Sequence, residues 1–268
     1  MSLTVALIVL DEERMLPRAL ASAAFADEVL VVDGGSADAT VEIARSAGAR
    51  VVERPFDDFA RQRNAALDEA AGDWVLFCDA DERIPRALAE EVLATIATAE
   101  HAAYRVPRRS MALGRWLDWH PGGPDAPTRL QRRVGPRWTG AVHEVLDTHD
   151  VGTLRNELVH LTHRSVSEVV SKVDAYSDHE VEELLARGTS APSTPREVLS
   201  SFGRAAKELL RSGLKREGMA GAIEASLLAF NRTLVLAKLW ERSHAGSIEA
   251  AYARAEAEIE IAEPSRKA

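Results

Sequence analysis

A single cysteine, Cys78, is all the thiol the sequence has. No intramolecular disulfide can form, which suits a reducing compartment, and the apolar run around Cys78 marks it as a small core residue. No lysine occurs before Lys172, so the lysine that a phospho-receiver domain wants at its fifth strand tip has no candidate. There is no G-x-x-x-x-G-K-[ST] and no G-x-G-x-x-G, which removes the P-loop and the dinucleotide fingerprint. A sugar-1-phosphate nucleotidyltransferase would want a Gly-rich, Lys-containing loop after the first strand, and that is missing too. No uncharged run of about eighteen apolar residues is present, so no spanning helix is expected. The opening MSLTVALIVLDEE lacks a basic stretch and soon turns acidic, so no secretory signal is expected and the chain is expected in the cytoplasm.

What is there describes a folded α/β chain. Of 268 residues, 46% are apolar and 28% charged, which excludes a disordered chain. The net charge of -9 excludes a generic nucleic-acid binder. Strand-like runs at 3–10, 27–33, 49–55, 73–79 and 102–108 alternate with helical spacing at 15–25, 38–48, 59–72 and 85–99. Strict alternation with short links predicts a mostly parallel, doubly wound sheet between helices. Residues 109–160 are looser and are expected to form loops and short antiparallel strands. From 165 the chain is expected to be helical, at 165–188, 196–212, 218–242 and 247–261. This predicts an α/β domain over 1–164 and a helical region over 165–268.

In a parallel sheet, ligands bind outside the carboxyl ends of the strands. The first strand runs into Asp11-Glu12-Glu13, the second into Asp33, the fourth into Asp79 and Asp81. Parallel winding brings these acids to one edge. A divalent cation, Mg²⁺ or Mn²⁺, explains the crowding, because it takes one or two carboxylates and leaves the other positions to phosphate and water. A pair of turn-capping aspartates is the plainer alternative for Asp79 and Asp81. Between Arg105 and Arg137 lie eight arginines and two acids, either a solvated face or a site for a phosphate-rich ligand.

The segments LIVLDEERMLPRALAS (7–22), EVLVVDGGSADATVEIARSAGARV (28–51), RQRNAALDEAAGDWVLFCDADE (61–82) and RWTGAVHEVL (137–146) resemble family 2 inverting glycosyltransferases of the GT-A fold. FADE, DADE, VHE and the later GLKREGMAGAIEASLLAFNR (213–232) are similar to the lipopolysaccharide core β-glucosyltransferase branch. The resemblance implies transfer of a hexose, with UDP-glucose or a similar nucleotide sugar as donor, to a glycan or glycolipid acceptor. Leu10, Asp11, Glu12, Asp33, Arg63, Asn64, Asp79, Ala80 and Arg129 would line the donor pocket; Asp11 stands where the family usually has Asn. Asp81, Asp79 and His163 would hold the cation. Glu144 would be the general base that takes the acceptor hydroxyl's proton, with Asp147 as the fallback and His143–Glu144 as a surface pair the alternative. Trp116 and Trp119 could stack on a sugar or sit in the core. The Ala- and Leu-rich tail, preceded by basic residues at 204, 207, 211, 215 and 216, either packs on the catalytic domain or rests on the inner membrane surface near a lipid-anchored acceptor.

Overall fold

The computed structural model describes residues 1–117, 125–140, 144–200, 203, 207 and 214–258. β1 (Leu3–Val9) is buried on both faces, as a central parallel strand must be: six of its seven residues are fully enclosed. α1 (Leu16–Ala23), β2 (Glu28–Asp33), α2 (Thr40–Ser46), β3 (Arg50–Glu53), α3 (Phe59–Glu69) and β4 (Trp74–Phe77) follow in alternation. α3 starts where the Asp58 side chain accepts the Arg61 N–H, a standard N-cap. At the α3–β4 link a Cβ on Gly72 would lie 2.6 Å from Thr4 N, so only glycine lets the chain cross β1 there.

After β5 (Glu82–Arg83) and α4 (Arg86–Ala97), the expected fifth strand divides into β6 (Ala103–Arg105) and β7 (Arg108–Ala112). Pro107, which has no N–H for a ladder, lies between them. β8 (Arg115–Trp116), β9 (Thr128–Arg132), β10 (Trp138–Thr139), β11 (Val145–Leu146), β12 (Val151–Thr153) and β13 (Leu158–His160) complete the strands. The main sheet has the order β12-β6-β9-β4-β1-β2-β3 and is parallel except for β9, which runs antiparallel to both neighbours. A four-stranded sheet, β5-β13-β7-β8, and the β10–β11 pair accompany it.

One core layer joins Leu3, Leu7, Leu16, Leu20, Trp74 and Leu88; the other joins Ala6, Leu30, Leu67, Phe77 and Trp138. Sheet faces covered on both sides are the arrangement that strict β-α alternation demands.

The helical part comprises α5 (Val166–Ala186) and α6 (Leu214–Glu258), which is kinked at Gly218 and runs on without a break through 243–246, where a gap between two helices was expected. Most of the expected 196–212 helix lies outside the described residues. The chain forms two compact units, Met1–Val169 with Glu208–Glu224, and Val170–Lys207 with Ala225–Ala268. In the second unit Val181, Val235 and Leu239 make a small core, and Lys238 and Arg242 ion-pair with Asp174, Asp178 and Glu182. The expectation that no segment could cross a membrane needs correcting in one respect. Gly218–Ala257 is long and apolar enough by length and composition, a test that buried helices of non-membrane proteins also pass.

Candidate active site

Parallel register aligns the strand ends: Val9 is level with Asp33, and Ala6 with Phe77. The segments after β1, β2 and β4 therefore leave from one edge. Leu10 is half exposed there. Asp11 has a left-handed backbone (φ 53°), donates its N–H to Ser36 Oγ and accepts the Ala37 N–H at 2.7 Å. The Glu12 N–H donates to Thr40 Oγ1 at 2.7 Å, while its carbonyl accepts from Met15 and Leu16 at the start of α1. Asp33 is buried and its carboxylate accepts the Gly35 and Ser36 N–H groups and the Ser36 hydroxyl. That carboxylate shapes the turn beneath the first two strand ends.

β9 carries Arg129 to the end of β4, where its guanidinium grips both Asp79 oxygens and donates to Glu82 Oε1 at 2.7 Å. Arg108 on β7 donates to the same Glu82 oxygen at 3.1 Å and pairs with Asp125 at 2.5 Å. Burial alone would raise the Asp79 carboxyl, but the adjacent Arg129 and Arg63 charges outweigh it and hold the group well below the usual carboxylate range. Burial likewise opposes the Arg129 charge, and Asp79 and Glu82 more than restore it. Both shifts favour the charged forms of the Asp79–Arg129 pair.

Arg63 on α3 is buried between the Phe77 and Trp138 rings, 4.9 and 5.0 Å from their centroids, and donates to Glu144 Oε1 at 2.9 Å. Burial and the like charge of Arg129 pull its pKa down, and its buried Nη1 has no hydrogen-bond partner among the described residues. Asn64 uses both ends of its amide on the Trp138 backbone, at 2.8 and 3.0 Å, which docks β10 on α3. Ala80 is buried, and its carbonyl accepts from Arg83 Nη1 at 2.7 Å.

Asp81 turns the other way. Its Oδ2 lies 3.3 Å from His160 Nε2, and His160 Nδ1 is 3.2 Å from Ser110 Oγ. His163, three residues on, has its Nδ1 2.7 Å from Glu224 Oε2 on α6, so the imidazole beside Asp81 is that of His160. Two donors sharing one small divalent cation at about 2.1 Å stand roughly 3 Å apart, which the Asp81–His160 pair fits. Among the described residues no three His, Cys, Asp or Glu side chains gather as a cation site, so phosphate and water would supply the other positions.

The structure brings together Asp79, Arg129, Arg63 and Glu144, and beside them Asp81. Sequence reasoning missed Glu82, Ser110 and the facing of His160. The cations that serve the buried Glu82, Arg108 and Arg129, both come from the arginine-rich 105–137 stretch. Others in that stretch do different work, since Arg109 stacks on Trp116 and Arg132 on Trp74. Trp116 is partly exposed; Trp119 and His143 lie outside the described residues.

A mostly parallel α/β sheet with an acidic DAD turn at its carboxyl edge and an antiparallel strand inserted beside it has the layout of the GT-A class. The glycosyl transferase family 2 profile matches residues 4–143. The chain belongs to that family. It is 30% identical to the lipopolysaccharide core biosynthesis glycosyltransferase LpsC of Rhizobium meliloti, over 88% of this chain and 91% of that one. An uncharacterized glycosyltransferase of Rickettsia bellii is 28% identical over 88% of this chain and 85% of its own. Among solved structures, S. aureus TarS superposes with a TM-score of 0.49 at 15% identity, covering 92% of each chain. Membership in this family leaves neither the phospho-receiver nor the nucleotidyltransferase alternative standing.

Proposed function

We propose that the chain transfers a hexose, with inversion, from a nucleotide sugar such as UDP-glucose to a glycan or glycolipid acceptor of the lipopolysaccharide core type. One observation carries the reading: two buried arginines, Arg63 paired with Glu144 and Arg129 paired with Asp79, stand at the carboxyl edge of a parallel sheet, with Asp81 two residues beyond Asp79 in the same turn. Arginine forks match a diphosphate, and Asp79 keeps Arg129 charged and fixed. The acidic Asp11–Glu13 turn and Asp33 frame the same edge. Asp81 and His160 would hold a Mg²⁺ or Mn²⁺ ion, which when bound neutralises charge growing on the leaving diphosphate. Glu144 serves as general base: the acceptor oxygen bonds to the anomeric carbon, the bond from that carbon to the diphosphate breaks, and the hydroxyl proton passes to the carboxylate. Kinship to LpsC supports the acceptor class. Exposed Phe230, Trp240 and Tyr252 on α6 support contact with the cytoplasmic membrane surface where such acceptors sit.

The test is nucleotide release from a panel of nucleotide sugars, with Mn²⁺, with Mg²⁺ and with chelator. One donor should be turned over only with metal, and Asp81→Ala should abolish that metal-dependent turnover. Metal-independent turnover that survives Asp81→Ala would overturn the cation assignment.

A further inference from the structure

Glu82 is fully buried, yet its carboxylate serves three donors. Oε1 accepts from Arg108 and Arg129, and Oε2 accepts the Asp79 N–H at 2.9 Å. Arg129 belongs to the seven-stranded sheet, whereas Arg108 belongs to the four-stranded sheet. Glu82 itself lies on β5, level with His160 on β13. One carboxylate therefore joins the Arg129–Asp79 pair to the strand that presents His160 to Asp81.

We infer that Glu82 is a positioning residue of the transfer reaction, fixing the Arg129 guanidinium and the Asp79 backbone and so setting where the donor's anionic group is held. The inference rests on the donor reading above. Neutralising Glu82 leaves two enclosed guanidiniums competing for Asp79 and Asp125, and leaves the Asp79 N–H facing a group that can repel it. Charged hydrogen bonds of this kind are lost at a cost that shifts an equilibrium about tenfold or more. The consequence falls on donor binding, because Glu82 touches neither the acceptor base Glu144 nor solvent.

The chain carries its own reporter. Cys78 directly precedes Asp79, is 1% exposed and is the sole cysteine. Its reaction with a disulfide reagent such as DTNB reads local opening of the DAD turn with no ligand present. In the full-length protein, well below its melting temperature, Glu82→Gln should label about tenfold faster than wild type while its circular dichroism is unchanged. With Mn²⁺ and the preferred nucleotide sugar, its KM should rise about tenfold with kcat within about twofold. Glu82→Asp keeps the charge but is one methylene too short to reach all three donors. It should fall between the two, and it carries both measurements if Glu82→Gln does not fold. A folded variant with wild-type labelling and wild-type KM overturns the inference, as does a loss of kcat that merely follows the loss of folded protein. If wild type turns over no nucleotide sugar, the donor reading fails and the labelling rate alone decides for or against Glu82.

Discussion

At the scale of single residues, the site is an exercise in keeping charge ionised in the dark. Asp79 is held below its ordinary pKa by two guanidiniums that outweigh its burial. The sign follows from linkage. A carboxyl with a depressed folded pKa stabilises the fold fully above the unfolded value of about 4, and that contribution is lost as pH falls below it. Wild type should therefore lose stability between about pH 5 and 3 more steeply than Asp79→Asn, as read from urea midpoints across that range. An equal slope for both would mean that Asp79 does not feel Arg129. Much of this was legible residue by residue. The DAD turn and Arg63 announce themselves by motif and strand position, and Arg129 by its place in an arginine-rich stretch. Glu82 and His160 do not, because their partners come from 26 to 79 residues away in sequence, and a single sequence carries no record of such pairings.

At the scale of elements, the short β10–β11 pair depends on one side chain. Asn64 donates to and accepts from the Trp138 backbone, and Trp138 in turn covers Arg63. Asn64→Ala should cost about 1–3 kcal/mol in denaturant unfolding, the usual penalty for stranding enclosed backbone groups, while Asn64→Asp keeps the acceptor and should cost less. Equal losses for the two variants would show that the amide's acceptor end does not matter. The alternation of the first four strands is plain in the sequence because each is a short, near-continuous apolar run between turn residues. β9 is hidden for a physical reason. TRLQR is only five residues, and two of them are charged because Arg129 is wanted at the site and Arg132 stacks on Trp74. Its antiparallel insertion next to β4 is set by long-range pairing that local pattern does not encode.

At the scale of the whole molecule, two compact units have different kinds of support. The second unit rests on a small apolar core beside a ladder of exposed ion pairs. Leu239→Ala should destabilise it by about 2–5 kcal/mol, whereas Lys238→Ala, whose partners Asp174 and Asp178 are largely solvated, should cost under about 1 kcal/mol. Limited proteolysis of α5 and α6 alongside thermal melts would rank the two, and the reverse order would place the weight on charge. The late arrival of β9 bears on how the molecule is made. Trp74–Phe77 emerges from the ribosome with one side of its backbone ladder open, and its mate is some fifty residues behind. Until Thr128–Arg132 is synthesised, the nascent chain displays a bare, wholly apolar sheet border, the kind of surface that recruits chaperones or sticks to its neighbours. Translation pauses in that interval should lower the yield of soluble protein, and the sheet closes only when the residue that grips Asp79 arrives.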